Sequence, residues 1–274
     1  MKYPRRLAGW GVVAAILAVP ALAPGQSAAP KLTLAEKEQF LLKGKIGKAR
    51  GVSRGITGTS RVTMTNGTLT HDASVQSLDE YKPRFESPGG TEINFKDTYK
   101  FNIAAYRLSR MLAIPMVPPS VPRKFNGTMS SFTWWVDDVL MDELDRMKDK
   151  VEPPNQEDWN QQMHVVRVFD QLIYNMDRNL GNLLIDKQWR IWMIDHSRAF
   201  RMHEQVKEVK NLQRCEKTLL ERLKGLTEEE CKRELKDWLN PMEIKGILKR
   251  RDKIVQIFER AGPSALYSYS YRHD

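Results

Sequence analysis

The sequence predicts an α+β chain of two lobes: a small β-rich lobe with one main helix, then a larger and mostly helical lobe. Three observations carry that expectation. Two Asn-Gly pairs, Asn66-Gly67 and Asn126-Gly127, sit between β-favouring runs in the first half, which is a strong short-range hairpin signal. Beyond Leu140 the chain holds an amphipathic helix and two capping boxes, and helices alone are expected from about residue 200 to the tail. The length of 274 residues, 41% hydrophobic and 28% charged, suits one two-lobed domain with a substantial core. The expected division is 1–29 as a signal segment, 30–138 as the small lobe, 139–263 as the large lobe and 264–274 as a tail.

Each element follows in order. Lys2, Arg5 and Arg6 precede an apolar run from Leu7 to Val19, and small residues follow at Ala21-Leu-Ala23 and Ser27-Ala-Ala29. That is the layout of a cleavable export signal. The run falls short of the roughly 20 residues a membrane span needs. Export to a periplasm or to the outside is expected, with cleavage near Ala28. The alternative is an anchor over residues 7–23. An amphipathic segment opens the remainder from Leu32 to Ala49. Gly51, Gly55, Gly58 and Gly67 punctuate a β-rich stretch, with a strand from Thr70 to Ser77. A helix is expected from about Lys96 to Leu112, burying Ile103, Ala104, Leu108, Met111 and Leu112 and stopping before Pro115. The second hairpin flanks Asn126-Gly127 and ends in Phe132-Thr-Trp-Trp-Val136. Both Asn-Gly-Thr triplets match the glycosylation sequon, but hairpin turns explain them better.

In the second half a helix runs from about Glu157 to Tyr174, with Val165, Val166, Phe169, Leu172 and Ile173 on its apolar face. Leu183 to Ile185 is a short strand, Asp186-Lys-Gln188 its turn, and Trp189 to Ile194 the return strand. Thr227-Glu-Glu-Glu230 opens a helix to Leu239, and Asn240-Pro241-x-Glu243 opens another to Arg260, ended by Gly262-Pro263. Ser264–Asp274 holds three tyrosines and is read as having no periodicity, so a loosely ordered tail is expected.

The chemistry concentrates at Asn175-Met-Asp-Arg-Asn-Leu-Gly-Asn182 and Ile194-Asp195-His196. Asp177, Asn182 and Asp195 form a D-x4-N-x12-D array. That spacing suits phosphoryl transfer, in which one Asp takes the proton of the attacking hydroxyl while an Asn and a second Asp hold Mg²⁺ against nucleotide phosphates. Any one of the three alone reads as a turn or cap residue. Together they lie after an apolar helix and around a hairpin that folds Asp195 back toward Asn182. His196 reads as a neutral neighbour of Asp195 and not as a ligand.

Asp177-Arg-Asn-Leu-Gly-Asn182 with Ile194-Asp-His196 resembles the catalytic and metal motifs of the atypical kinases: the bacterial phosphoinositide 3-/4-kinase-like proteins, the HipA-like toxin kinases and the secretory-pathway kinases. Asn102-Ile-Ala-Ala-Tyr-Arg-Leu-Ser-Arg-Met-Leu-Ala-Ile-Pro-Met-Val-Pro-Pro119 is similar to the segment carrying the small-lobe helix of those bacterial kinases. The likeness spans about residues 40–200. It implies a two-lobed protein-kinase-like fold, ATP with Mg²⁺ or Mn²⁺, Asp177 as base, Arg178 or Arg198 steadying the loop or a phosphate, and Asn182 and Asp195 as metal ligands. It implies Lys82 as the lysine on the phosphates, and adenine held near Trp135 and Val136, with Trp134 or Trp135 as its cover or as core. Gly51–Gly58 becomes a loop over the phosphates or a run of ordinary turns. Two positions depart from the pattern. Asn102 stands where relatives carry a Glu that pairs with the lysine, for which Asp97 is the candidate substitute. Gln76 stands where an inward lysine would be expected.

The net charge of +10 favours acidic partners: nucleotide phosphates or an anionic membrane surface. Lys249-Arg-Arg-Asp-Lys253 carries much of the excess and reads as a solvated helix face or a lipid contact. No nucleic-acid signature accompanies it, so no specific nucleic acid is expected. Cys215 and Cys231 read as two thiols on neighbouring helices, or as a disulfide if the chain is exported. The expected function is an exported atypical kinase acting on a protein, lipid or sugar hydroxyl. The alternatives are a weak or inactive kinase-like nucleotide-binding module, or a basic protein binding anionic lipid.

Overall fold

The computed structural model describes residues 32–51, 59–87, 90–175 and 178–273. Helix α1 (Leu34–Lys43) starts at a capping box between Thr33 and Glu36. It ends at Gly44, where a Cβ would lie 2.8 Å from the Phe40 carbonyl oxygen. The chain then turns into strand β1 (Lys45–Gly51), so the single amphipathic segment expected over 32–49 is a helix followed by a strand. Strands β2 (Ser60–Thr65) and β3 (Thr70–Gln76) form the hairpin expected at Asn66-Gly67. The Asn66 carboxamide oxygen accepts the N–H groups of Thr68 and Leu69, and Gly67 supplies the positive φ of +93°.

Next comes a two-stranded ribbon, β4 (Asp79–Ser87) with β5 (Gly90–Thr98), which no sequence pattern announced. Its register pairs Tyr81 with Lys96 and Asp79 with Thr98. Lys96–Thr98 are therefore strand, and helix α2 (Lys100–Met111) starts four residues later than expected. Strands β6 (Ser120–Phe125) and β7 (Thr128–Trp134) meet at Asn126-Gly127, both with positive φ, the geometry a two-residue hairpin loop requires. The sheet runs β1-β2-β3-β7-β6, antiparallel throughout. Helix α1 packs on it over a core of Phe40, Leu41, Val62, Met64, Val75, Phe132 and Trp134.

After residues 135–138 the chain enters the larger part. Strand β8 (Val139–Asp142) leads into α3 (Glu143–Lys148) and α4 (Gln156–Ile173). A 3-10 turn, Leu180–Asn182, precedes β9 (Leu183–Asp186) and β10 (Ile191–Met193). Strand β11 (Cys215–Glu216), helices α5 (Lys217–Gly225), α6 (Glu228–Leu235) and α7 (Pro241–Ala261), and strand β12 (Leu266–Tyr267) complete it. Both predicted capping boxes are present, at Thr227 with Glu230 and at Asn240 with Glu243. A second core joins α2 to α4, β9, β10 and α5–α7 through Phe101, Leu108, Val165, Phe169, Ile185 and Ile247, among others.

Three expectations are corrected. The tail is docked: β12 pairs in parallel with β11, the Tyr267 hydroxyl donates to the Gln161 carbonyl at 2.6 Å, and His273 is buried with Nε2 2.8 Å from the Ile191 carbonyl. The reason is a period of two. Ala265, Tyr267, Tyr269, Tyr271 and His273 alternate with more exposed residues along an extended segment. Cys215 lies in β11 and not in a helix, and both thiols are buried and unbridged. Burial raises Cys215 to about 12 and Cys231 to about 11, which leaves them inert. Arg250, in the supposed solvated basic run, is fully buried. It donates to the carbonyls of Leu172, Arg201 and His203, and burial lowers it to about 9. The signal segment 1–29 lies outside the described residues. No helix among the described residues is long and apolar enough to cross a membrane.

Candidate functional site

The β9–β10 hairpin places two of the expected metal ligands side by side. Its turn is built on Asp186, whose fully buried carboxylate accepts the N–H groups of Gln188 and Arg190, the Arg190 side chain and the Trp192 indole. The strands then run in register to Leu183 opposite Met193. One step further, the Ile194 N–H donates to the Asn182 carbonyl at 3.0 Å. Asn182 and Asp195 thus leave adjacent backbones at the open end of the hairpin. Asp195 has φ +53°, a conformation that costs a non-glycine residue about 1–3 kcal/mol and that concentrates at functional sites. Asp177 lies outside the described residues.

Behind this end sits Arg178, with its side chain 10% exposed. Its Nη1 donates to the Asn182 carbonyl at 3.1 Å and to the Ile194 carbonyl at 2.7 Å. Its Nε and Nη2 meet the Asp170 carboxylate of α4, and Nη2 also donates to His196 Nε2 at 3.0 Å. One guanidinium therefore ties α4, the 3-10 turn and the Asp195 segment together. Of the two roles expected for Arg178, these contacts are those of loop support. Burial, then the neighbouring Arg178 charge, holds His196 well below its ordinary range, so it is neutral and accepts from Arg178 at Nε2. Asp170 carried no sequence signal. It sits on a mostly buried stretch of α4, and only its partner, four residues ahead of Asn182, explains it.

From the small lobe, Gln76 at the end of β3 faces Asp195, with Nε2 3.4 Å from Asp195 Oδ1 and 3.1 Å from Thr59 Oγ1. The Asn102 side chain of α2 donates from Nδ2 to Gln76 Oε1, and its Oδ1 accepts the His196 N–H at 2.8 Å. The two departures noted in the sequence thus meet each other. Lys82 stands elsewhere, on the β4–β5 ribbon, half exposed, 2.9 Å from Glu80 and above the rings of Phe85 and Phe95. The described contacts of Asp195 and Gln76 do not include it. Asp97 is not on α2. It is a buried residue of β5, paired with Arg198 at 2.7 Å, because the ribbon runs on to Thr98 before the helix begins. Arg198 thereby anchors the segment after Asp195 to β5, beside the Thr98 N–H to Ser197 carbonyl bond of 2.9 Å.

Trp135 and Val136 lie in the connector between the five-stranded sheet and β8. Trp135 donates its N–H to the Asp72 carbonyl and has the Arg61 guanidinium 4.2 Å from its ring centroid, while Val136 is buried. Trp134 belongs to the sheet's core, stacked on His71 at 3.7 Å. The connector is braced from both sides. His71 Nε2 lies 2.8 Å from Asp137, and Lys187 Nζ lies 2.7 Å from Asp138, which has φ +54°. The Gly51–Gly58 loop lies, from residue 52 on, outside the described residues.

No protein-family model matches the sequence, and no curated protein is similar to it at a meaningful level. Solved structures do match. The hydra Fam20 structure with sugar superposes with a TM-score of 0.64 at 14% identity, over 87% of this chain and 93% of that one. The Golgi casein kinase with Mn/ADP bound gives 0.59 at 15% identity, over 87% and 80%. Another crystal structure of the Golgi casein kinase gives 0.58 at 15% identity, over 87% and 79%. The chain has a two-lobed, protein-kinase-like fold. In a kinase the phosphate-contacting lysine lies on the third strand of the small-lobe sheet and pairs with a Glu on the following helix. Here the third strand of the sheet, β3, ends at Gln76, and the next helix, α2, carries Asn102.

The donor set at the hairpin end suits a hard divalent cation. Asn182 and Asp195 both offer oxygens, which Mg²⁺ and Mn²⁺ require. Asp195 keeps a carboxylate oxygen, Oδ2, beyond the one that meets Gln76.

Proposed function

We propose that the chain is a divalent-metal-dependent phosphotransferase that moves a phosphoryl group from a nucleoside triphosphate to a hydroxyl acceptor. The observation that carries this reading is the convergence of Asn182 and Asp195 at the open end of one hairpin, with Arg178 fixing both backbones from behind. Asn182 and Asp195 would hold Mg²⁺ or Mn²⁺, which neutralises phosphate charge when bound. Asp177, five residues before Asn182, would take the acceptor proton. Nucleotide would lie between the five-stranded sheet and this end, with its base against the Trp135–Asp138 connector. The Golgi casein kinase with Mn/ADP bound supports nucleotide and metal as ligands, and hydra Fam20 with sugar keeps a sugar hydroxyl among the acceptors beside protein and lipid. Export through residues 1–29 completes the proposal.

One observation favours a second reading, nucleotide binding without transfer: the side chain that faces Asp195 from β3 is an uncharged glutamine. A single set of measurements separates the two. ATP with Mg²⁺ should raise the thermal midpoint of the mature protein and ATP with chelator should not, and Asp195→Asn should erase that difference. Radiolabelled phosphate should then reach a peptide, lipid or sugar acceptor and fall by roughly 10²–10⁴-fold in Asp177→Ala, the usual share of a general base. Metal-dependent stabilisation with no transfer to any acceptor would decide for the binding module. No stabilisation under either condition would remove both.

A further inference from the structure

We infer that Gln76 and Asn102 form an uncharged positioning pair that sets the Asp195 carboxylate for a divalent cation, in place of a lysine–glutamate ion pair. The inference rests on the metal-and-nucleotide reading of the site. Three hydrogen bonds make the arrangement. The His196 N–H donates to Asn102 Oδ1 at 2.8 Å, Asn102 Nδ2 donates to Gln76 Oε1, and Gln76 Nε2 reaches Asp195 Oδ1 at 3.4 Å. Asp195 and His196 are consecutive, so the bonds close a ring through the loop, α2 and β3. Both amides are less than a tenth exposed.

The orientation of both amides follows from the two ends of the ring. A backbone N–H can only donate, so Asn102 must turn its oxygen to His196. Its nitrogen then faces Gln76, which must present oxygen in return. That leaves the Gln76 nitrogen for Asp195, where an ionised carboxylate can only accept. Reversing either amide sets donor against donor or oxygen against oxygen. A single arrangement satisfies every member, and buried polar groups left unsatisfied are costly.

The charge balance explains why the two residues belong together. A lysine and a glutamate carry +1 and −1, and replacing both by amides leaves the local sum at zero. Replacing the lysine alone would leave a carboxylate beside bound phosphates, and replacing the glutamate alone would leave an ammonium beside Asp195. The amide pair keeps the mechanical coupling of β3 and α2 to the Asp195 loop and removes the cation. Two consequences follow. The carboxylate of Asp195 faces no competing ammonium from β3, so its whole charge is available to a divalent ion. The phosphates, in turn, lack a cationic partner from β3, so the ligand the site selects is a metal–nucleotide complex and not the free nucleotide.

The test is a set of four variants with Mn²⁺ and ADP as the probe, read by titration calorimetry on the full mature chain. Wild type should bind ADP with Mn²⁺ and bind it at least tenfold more weakly with chelator. Asn102→Asp keeps the acceptor for His196 but loses the donor to Gln76, which must then turn its own oxygen toward Asp195. Mn²⁺-dependent affinity should fall about 10–100-fold, the range seen when a ligand's supporting partner is removed. Gln76→Lys alone should weaken Mn²⁺ binding similarly, by pairing with Asp195. The double variant Gln76→Lys with Asn102→Glu should return to within about threefold of wild type and should gain affinity for ADP in chelator, against the same range. Thermal melts of the metal-free proteins check that each variant is folded, and amide exchange at His196 should stay slow in Asn102→Asp and become fast in Asn102→Ala. Wild-type affinity in both single variants would overturn the pair while leaving the nucleotide reading intact. Absence of Mn²⁺-dependent ADP binding by wild type would overturn that reading and the pair with it.

Discussion

Arg178 decides the geometry of the candidate site more than either proposed metal ligand does, because its guanidinium reaches the Asn182 carbonyl and the Ile194 carbonyl beside Asp195. It lies a few residues from Asn182, buried against Asp170, with four partners: a carboxylate, two carbonyls and an imidazole nitrogen. Lysine offers three donors on one point and cannot reproduce the fork. Arg178→Met should therefore leave Asp170 buried without its ion partner and cost about 3–5 kcal/mol of stability, the usual loss when one half of a buried pair is removed, and Arg178→Lys, which keeps the charge but not the fork, should cost less. Urea denaturation of the metal-free protein measures this, and a loss under 1 kcal/mol would mean that Asn175, which also donates to Asp170, is a sufficient partner. At this scale the adjacency of the Asn182 and Asp195 backbones was legible, because spacing across a hairpin is a local property. Gln76 and Asn102 were legible only as two separate departures. They lie 26 residues apart with a ribbon between them, and no periodicity links one side chain's donor to another's acceptor over that distance.

Among elements, those with strong local chemistry appeared where the sequence placed them. The two Asn-Gly hairpins, the two capping boxes and the apolar face of α4 each rest on residues within one turn or one helix of each other. The β4–β5 ribbon gave no pattern because Tyr81 and Ile93 are exposed while Asp97 is buried, so its apolar residues do not alternate cleanly with its charged ones. Its presence moved Asp97 off the helix assumed for it and put Lys82 on a strand outside the five-stranded sheet. The tail has the opposite character: Tyr267, Tyr269, Tyr271 and His273 do alternate, but over a segment too short and too rich in serine for the period of two to stand out in the sequence. Ending the chain after Ser264 would remove the β11–β12 pairing, the Tyr267 bond to Gln161, the Arg190 bond to the Arg272 carbonyl and the buried His273. The loss should be several kcal/mol, on the scale of deleting buried aromatic side chains. For a domain of this size it lowers the thermal midpoint by on the order of 10 °C. A melt of the truncated protein unchanged within about 2 °C, less than the shift expected for 1 kcal/mol, would show that the docked tail contributes nothing to the fold.

At the scale of the whole molecule, the two cores meet at α2, which belongs to the larger one and reaches Gln76 at the end of the sheet of the smaller. Stability is shared across that contact, and its pH dependence is set by groups buried in the larger part. Burial holds His273 down at about 4, and burial followed by Arg167 lowers His164. His273 shows why. Its Nε2 donates to the Ile191 carbonyl, while Nδ1 is buried without a partner, so a second proton would be carried by an unsatisfied nitrogen. The unfolded chain binds that proton near pH 6.5 and the folded chain only near 4. Between those values the unfolded state holds more protons, so stability rises with pH there and is lost as pH falls. The full contribution of His273 is about 3 kcal/mol at the usual ~1.4 kcal/mol per pKa unit, complete above pH 6.5 and gone below 4. Carboxylates held low by their hydrogen bonds and ion pairs, such as Asp138 and Glu86, act only below about pH 4.5. The window from 6.5 to 4.5 therefore belongs to the histidines. Unfolding free energy should fall by about 2 kcal/mol or more from pH 7 to pH 5 in wild type. His273→Gln, which retains an amide donor for the Ile191 carbonyl and has no proton to gain, should show a visibly shallower slope. Equal slopes for the two proteins between pH 5 and 7 would mean that His273 can take its proton without leaving the fold.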